Sequence, residues 1–348
     1  MPKATVVGLD FGRGVLRAVE VAGAAGPHPM VIRHHELPLP TGSVTGGEVR
    51  DPAAVSEVIK AMWSQAGFKT KKVVLGMGNQ RVLVRELSMP KMPAARMKEA
   101  LPFQVQELLP VPVADALLDF YPTAEAVTDG VEVINGLLVA AVRGAVEANV
   151  EAVRLAGLEP IGVDLIPFAL SRLLLPVNDV SHTALVHIGA TTTSVVFVQQ
   201  GVPQFVRIIP AGGDDVTRAL VNRFEIDMVA AERLKREVGL SNRVSTAQKG
   251  AVETMFEVTG ELLTSLRNTF TFYTNTRSSG DLDRVLLSGG GARLQGLAAA
   301  LGEVTRLRVE IADLGSAFAL DSSLEKSAFS DASGDLAVAL GLTVGSAA

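Results

Sequence analysis

A short pattern near the N-terminus returns in the middle of the chain, and this repeat limits the fold more than any other feature. Val6-Val-Gly-Leu-Asp-Phe-Gly-Arg-Gly-Val-Leu-Arg17 is a β-type run, a glycine-containing turn and a second β-type run, and Ala184-Leu-Val-His-Ile-Gly-Ala-Thr-Thr-Thr-Ser-Val195 echoes that order. Val, Ile and Leu favour a pleated, half-buried backbone, and glycine at the break permits a tight reversal. Both copies are embedded in alternating strand-like and helix-like segments. The simplest architecture is a duplicated α/β core with a cleft between the halves. The 348 residues suit two such units, since a domain takes roughly 100–200 residues.

Along the first half, Thr5–Leu9, Val15–Val21, Met30–Leu37, Val73–Met77 and Val82–Leu87 read as strands. Asp51–Ala66 reads as a helix, with Ala54, Val58, Ala61 and Met62 on one face. The character changes between Ser88 and Gly157. Pro90 and Pro93 precede a helix from Ala94 to Leu109 that Pro102 should bend. Strands at Ala116–Tyr121 and Val131–Val142 and a helix at Ala145–Leu155 follow. This segment, about 88–157, reads as a subdomain inserted into a first lobe of 1–165. A hinge segment is expected at 166–180, with its helix at Ile166–Leu175, before a second lobe at 181–330. That lobe opens with strands Ala184–Ile188, Ser194–Gln199 and Phe205–Ile209. A helical subdomain follows at about 214–278, comprising Asp214–Gly239 and a long amphipathic helix, Thr246–Thr276. In the latter, Val252, Phe256, Leu263, Leu266, Phe270 and Tyr273 form one stripe. Val285–Leu287 and Leu307–Ile311 are strands, Leu294–Leu301 is a helix and Gly315–Gly334 a loop. A final helix of small apolar residues, Asp335–Val344, lies in a hinge segment at 331–348 that returns to the first lobe.

Composition narrows the function. Hydrophobic residues make up 48% and charged residues 20%, enough apolar material for substantial cores. A net charge of −5 gives no electrostatic reason to expect nucleic acid. The absence of cysteine excludes disulfides and thiolate metal sites. Apolar runs such as Gly136–Val142 fall far short of the roughly 20 residues a spanning helix needs. The N-terminus has one lysine and then Asp10, unlike a signal peptide. A cytoplasmic protein is expected, with a peripheral place at a membrane open to it through a partner.

Three turns carry candidate chemistry. In Asp10-Phe-Gly-Arg-Gly-Val-Leu-Arg17, Gly12 and Gly14 allow a concave turn whose amides cradle phosphate. Asp10 at the strand end suits a hydrated Mg²⁺, and Arg13 and Arg17 suit phosphate oxygens. In His187-Ile-Gly-Ala-Thr-Thr-Thr193, Gly189 and the following Ala190, Thr191 and Thr192 offer a second cradle. In Leu286-Leu-Ser-Gly-Gly-Gly-Ala-Arg-Leu-Gln-Gly296, a strand runs into Gly289, Gly290 and Gly291 and a helix start, with Arg293 beside it. Each turn alone also reads as an ordinary hairpin or strand–helix connection. Three successive glycines, though, carry an entropy cost that a plain turn does not require.

Order and separation together make the chain resemble the actin and DnaK superfamily. The three turns match its phosphate-one, phosphate-two and adenosine motifs. Ala231-Glu-Arg-Leu-Lys235 resembles the element whose acidic and basic residues, here Glu232 and Lys235, approach the adenosine. Within the superfamily the chain is most similar to the PilM family. The carrying segments are Met92-Pro-Ala-Ala-Arg-Met-Lys-Glu-Ala-Leu-Pro-Phe-Gln-Val-Gln-Glu-Leu-Leu-Pro110, then Leu118-Asp-Phe-Tyr121, and Arg207-Ile-Ile-Pro-Ala-Gly-Gly-Asp-Asp-Val-Thr217 with Gly212 and Gly213. The resemblance implies a duplicated actin-like, ribonuclease-H-like fold with an FtsA-type inserted subdomain and ATP in the interlobe cleft. It implies a scaffold for type IV pilus assembly that binds the N-terminal tail peptide of a PilN-type inner-membrane protein. Further partners would be the assembly platform and, as a candidate, the motor ATPase. The protein would be peripheral at the inner face of the inner membrane, without inserting into it. An FtsA-like filament and an active actin-fold ATPase or kinase are the alternatives. FtsA, however, ends in a basic amphipathic helix, where this chain has Gly341-Leu-Thr-Val-Gly-Ser-Ala-Ala348.

One position departs from the family pattern. The phosphate-two turn usually carries Asp where this chain has His187, and a neutral imidazole is a poor Mg²⁺ ligand. The expectation is ATP binding with weak Mg²⁺ dependence and slow or absent hydrolysis. At lower pH a cationic His187 would pair with phosphate directly. Asp164 has two readings, a helix N-cap and a second metal-site carboxylate. His34 and His35 alternate on a strand and so cannot share a metal.

Overall fold

The computed structural model describes residues 4–345 except 27, 176–177, 242–244, 277–279 and 315–317. The expectations for the hinge at 176–177, the loop at 315–317 and the C-terminus at 346–348 lie outside the described residues. In chain order, the first lobe begins with β1 (Thr5–Phe11), β2 (Val15–Ala22), β3 (Met30–Pro38), β4 (Val44–Thr45), β5 (Glu48–Val49), α1 (Pro52–Ala66) and β6 (Lys72–Met77). It continues with β7 (Val82–Pro90), α2 (Ala94–Gln104), β8 (Ala116–Thr128), β9 (Val131–Val142), α3 (Arg143–Leu155), β10 (Glu159–Leu165) and α4 (Ile166–Leu174). The second lobe comprises β11 (His182–Ile188), β12 (Thr193–Gln199), β13 (Val202–Ile209), α5 (Gly213–Phe224), α6 (Met228–Val238), α7 (Lys249–Thr276), β14 (Arg284–Ser288), α8 (Leu297–Thr305) and β15 (Arg308–Ile311). Then β16 (Ala319–Leu320) and α9 (Lys326–Thr343) return to the first lobe.

The repeat in the sequence is a repeat in topology. One sheet runs β3-β2-β1-β6-β10 and the other β13-β12-β11-β14-β15. In both, the first three strands are antiparallel neighbours and the last two join in parallel. The central strands are apolar on both faces, with Val7 and Leu9 in β1 and Leu185, Val186 and Ile188 in β11 almost fully buried. β16 adds to the outer side of β3.

Two helices join the lobes. α4 and α9 pack on one another and on β1, β6 and β12. They meet so closely that a Cβ on Gly341 would lie 2.8 Å from the Ala169 carbonyl oxygen, so the crossing requires glycine. α9 begins at Lys326, nine residues before the expected Asp335. Phe329, 1% exposed, is inserted among Val19, Val31 and Phe318, and this burial carries the helix through a Ser- and Gly-rich stretch that reads as loop by propensity.

The small sheet is β7-β9-β8, antiparallel throughout. Met89, Leu138 and Val105 form its core with Met97 and Leu101 of α2. α2 carries Pro102 in its last turn and stops at Gln104, before the expected Leu109. By hydrogen bonding the small sheet runs from Val82 to Val142, and the Val142 amide donates to the Arg81 carbonyl at 2.9 Å. α3, read from sequence as part of the insert, packs Ala152 and Val153 against Val55, Ile59 and Met62 beneath the first-lobe sheet. α7 buries Val252, Met255, Thr259, Leu262, Leu266, Phe270 and Tyr273, whereas Phe256 is 42% exposed. The buried stripe therefore runs one position beside the expected one at that turn.

The interlobe cleft as candidate functional site

The hairpin turns of the two lobes and the β14–α8 connection converge on one cleft of about 1800 Å³. Asp10, Gly12, Arg13 and Arg17 line it from the first lobe. Gly189, Ala190, Thr191, Thr192, Gly212, Gly213, Glu232, Lys235, Gly289, Gly290, Gly291 and Arg293 line it from the second. Thus every sequence-chosen binding residue except Gly14 and Asp164 lines this one space; Gly14, at φ +67, shapes the first turn without reaching the cleft.

In the first turn, Asp10 stands opposite Arg17 in the β1–β2 register. Burial pushes the Asp10 carboxyl up to about 6, against the opposing charge of Arg17. The Arg17 guanidinium also meets Glu36 at 3.2 Å. Arg13, at the tip, reaches across the cleft to Asp214 of α5. In the second turn, the Gly189 amide donates to Thr192 O at 2.9 Å. The first amides of α5 tie this turn to the helix, with Gly213 N donating to Gly189 O at 2.9 Å and Asp214 N to Ala190 O at 2.8 Å. Asp215 caps the same helix by accepting from Gly212 N at 2.8 Å.

His187 sits where β11 meets this turn, its Nδ1 3.4 Å from Ser288 Oγ. Burial pushes its pKa down to about 4. Without a ligand the imidazole is therefore neutral near pH 7 and remains so at mildly acid pH.

In the third turn, Gly289 has φ +89 and a Cβ there would lie 2.4 Å from Ile188 O, so the backbones of β11 and the turn touch. Gly290 is different: a Cβ would meet only Asp335 Oδ1, at 3.7 Å. That direction opens into the cleft. Arg293 bridges to Asp335 of α9 at 3.0 Å. Lys235 is held inside the second lobe. Its Nζ meets Glu232 at 2.6 Å and donates to Thr217 Oγ1 at 2.8 Å and to Gly213 O at 3.1 Å. It braces the α5 N-terminus, and Glu232 accepts from Thr217 at 2.9 Å.

Asp164 takes neither expected role. Its carboxylate pairs with Arg172, whose Nε donates to Val344 O at 2.9 Å. The N-cap of α4 is Leu165, and Asp164 is absent from the cleft lining. The pairing ties β10 and α4 to the end of α9. Among the cleft carboxylates that sequence reasoning missed, Asp214 is the one that meets Arg13. Its signal was the Gly-Gly-Asp-Asp run at a helix start, which places acidic groups beside the second turn. Also missed was the rim formed by the β4–β5 turn, Gly46–Gly47. Asn79 Nδ2 donates to Gly46 O at 2.9 Å, and buried Asn149 of α3 donates to Gly47 O at 3.0 Å and accepts from Val49 N at 2.8 Å.

These features bear on what the cleft holds. Gly290 leaves room beside the third turn for a flat group, and Arg13 and the two hairpin turns line the same cleft, as a nucleotide's phosphates require. Asp10 offers one carboxylate to a metal held mainly by water and phosphate. Among the described residues no group of three or more His, Asp or Glu is placed to hold a metal by protein ligands alone.

Paired sheets of this order, joined by two helices around a cleft lined by hairpin turns, define an actin-like fold. Two distant structures share it. EutJ from Carboxydothermus hydrogenoformans aligns over 99% of this chain and 90% of its own at TM-score 0.57 and 15% identity. MreB 5 of Spiroplasma citri bound to AMPPNP aligns over 97% and 94% at TM-score 0.55 and 12% identity. The model of the family described as type IV pilus assembly protein PilM matches residues 8–347, and the chain belongs to that family. A solved PilM-PilN type IV pilus biogenesis complex contains a chain 30% identical to this one, covering 98% of each, at TM-score 0.85. Cell division protein FtsA of Bacillus subtilis (strain 168) is 22% identical over 256 residues, which take in 67% of this chain and 57% of FtsA. No helix of the described residues is long and apolar enough to cross a membrane.

Proposed function

We propose that this protein is a nucleotide-binding scaffold of type IV pilus assembly, with ATP in the interlobe cleft and the N-terminal tail of a PilN-type inner-membrane protein held by the small-sheet region. The observation that carries the reading is the convergence of three glycine-rich turns on one cleft, in a chain alike over 98% of its length to a chain of a PilM-PilN complex. The first two turns and Arg13 would hold phosphates, and the third would lie against the adenosine. Asp10 would hold Mg²⁺ through its waters, and the metal would neutralise phosphate charge. With Asp214 held by cations and His187 in place of a second metal-site carboxylate, Mg²⁺ dependence should be weak. Hydrolysis should be slow or absent, because His187 stands where a metal-site carboxylate would orient the metal's waters. Through its partner the protein would stand at the inner face of the inner membrane, beside the assembly platform and the motor ATPase.

Fluorescence anisotropy with a labelled PilN-type tail peptide tests the scaffold reading. Saturable binding to the full chain, nucleotide-free or with ATP, is expected. Failure to bind in both states would overturn the partner assignment.

A further inference from the structure

Two ion pairs join elements that line the cleft. Arg293–Asp335 joins the third turn to α9, and Arg13–Asp214 joins the first turn to α5. The second pair involves the turn proposed to hold phosphate. Arg13 Nη1 donates to Asp214 Oδ1 at 2.7 Å, and its Nε lies 2.6 Å from Oδ2, a fork-on-carboxylate arrangement between residues 201 positions apart. The partners are unequally placed. The Asp214 side chain is 7% exposed, and that of Arg13 44%. Asp214 is fixed at the start of a helix whose first amides bond the second turn and whose own Asp215 closes the cap on Gly212 N. Arg13 sits at the tip of a two-stranded hairpin, with a glycine on either side.

We propose that Asp214 is a resident anion that occupies Arg13 in place of a nucleotide's phosphates, so that a polyphosphate enters the cleft by taking Arg13 from Asp214. The inference rests on reading the cleft as a nucleotide site. A carboxylate and a phosphate oxygen satisfy the same guanidinium fork, and both cannot do so at once. Arg13 is the more exposed member, at a turn tip, so it changes partner while Asp214 stays. Without nucleotide the pair holds the phosphate ends of the two lobes together. With nucleotide, Arg13 contacts phosphate, and Asp214 keeps Arg218 and Lys235 as its neighbouring cations. The clasp thus sets a threshold: the nucleotide must replace an existing charge-assisted bond before it gains one.

A double-mutant cycle on the full chain tests this, using calorimetry with ATP and, separately, inorganic tripolyphosphate. Asp214→Asn should tighten both ligands about tenfold, the change equivalent to ~1.4 kcal/mol. Arg13→Gln, at the exposed turn tip, should weaken both. In the Arg13→Gln background, Asp214→Asn should shift affinity less than about twofold, because the bond it would release is already gone. Equal gains in both backgrounds, or unchanged or weaker binding by Asp214→Asn, would overturn the clasp. Amide exchange without nucleotide supplies an independent readout. Either substitution should speed exchange in both Gly12–Val15 and Gly212–Thr217, and unchanged exchange in both segments would also overturn it. If the wild type bound neither ligand, the nucleotide reading would fail, while exchange would still decide whether the pair clasps the lobes.

Discussion

Replacing Asp10 with Asn should make the nucleotide-free protein more stable. The folded carboxyl titrates at about 6 against an ordinary 3.8, burial being the cause and Arg17 a partial offset. Between those pH values the folded state binds a proton that the unfolded state has released, so stability falls as pH rises through the interval. Above pH 6 the whole cost is present. At ~1.36 kcal/mol per pH unit it is about 3 kcal/mol, as an order of magnitude. Roughly half should remain at pH 5 and little at pH 3.8. His187 acts in the opposite sense. Its pKa of about 4 lies below the usual 6.5, so the stability it contributes is present above pH 6.5 and is lost as pH falls toward 4. Comparing variant with wild type at each pH cancels that contribution. The assay is urea denaturation of both proteins at pH 5 and pH 7.5. A gain of about 3 kcal/mol at the higher pH, and about half at the lower, is expected. A loss of stability at pH 7.5, or a gain independent of pH, would refute the reasoning that a functional carboxylate is held there at the fold's expense. The same variant should lose whatever Mg²⁺ dependence its ATP affinity has.

Other substitutions separate the parts of the cleft. Gly290→Val should leave the melting transition nearly unchanged, because the added Cβ meets only Asp335 at 3.7 Å; ATP affinity measured by calorimetry should fall at least ~10-fold as the side chain fills the adenosine end. Asn149→Leu should cost about 2–4 kcal/mol in urea denaturation, since it strands Val49 N–H and Gly47 C=O without their partner. Removing 82–142 with a short linker should abolish capture of the tail peptide yet retain ATP binding. The bond of Val142 N to Arg81 O, 2.9 Å, brings Arg143, the residue next to Val142, close to Arg81 for joining, and α3 keeps its place in the first-lobe core.

What could be read from sequence was what local chemistry encodes. The glycine-rich turns and the strands leading into them are short-range signals, and the repeat exposed the duplication before any pairing was known. The insert's edges were harder. Ser88 follows Leu87 within one strand, and only pairing with β9 shows that β7 starts the small sheet at Val82. β10 escaped notice because Pro160 and Gly162 interrupt its alternation, and both residues weaken a strand signal. The first half of α9 depends on where Phe329 is buried, which periodicity does not reveal. Asp164 lies away from the cleft and Asp214 within it for a similar reason. Which carboxylate reaches the cleft is decided by partners distant in sequence, Arg13 for Asp214 and the end of α9 for the Arg172–Asp164 pair. His187 stood out in the chain, but its suppressed basicity comes from packing.

Calorimetric titration of ATP into the full chain, with Mg²⁺ and with a chelator, tests the nucleotide assignment most directly. One site per chain is expected, with affinity changed only modestly by the metal's removal and with no rapid phosphate release. No heat of binding under either condition would contradict the assignment. A large loss of affinity on chelation would contradict the view that Asp10 alone serves the metal and would make Asp214 the first residue to examine as its second metal-site group.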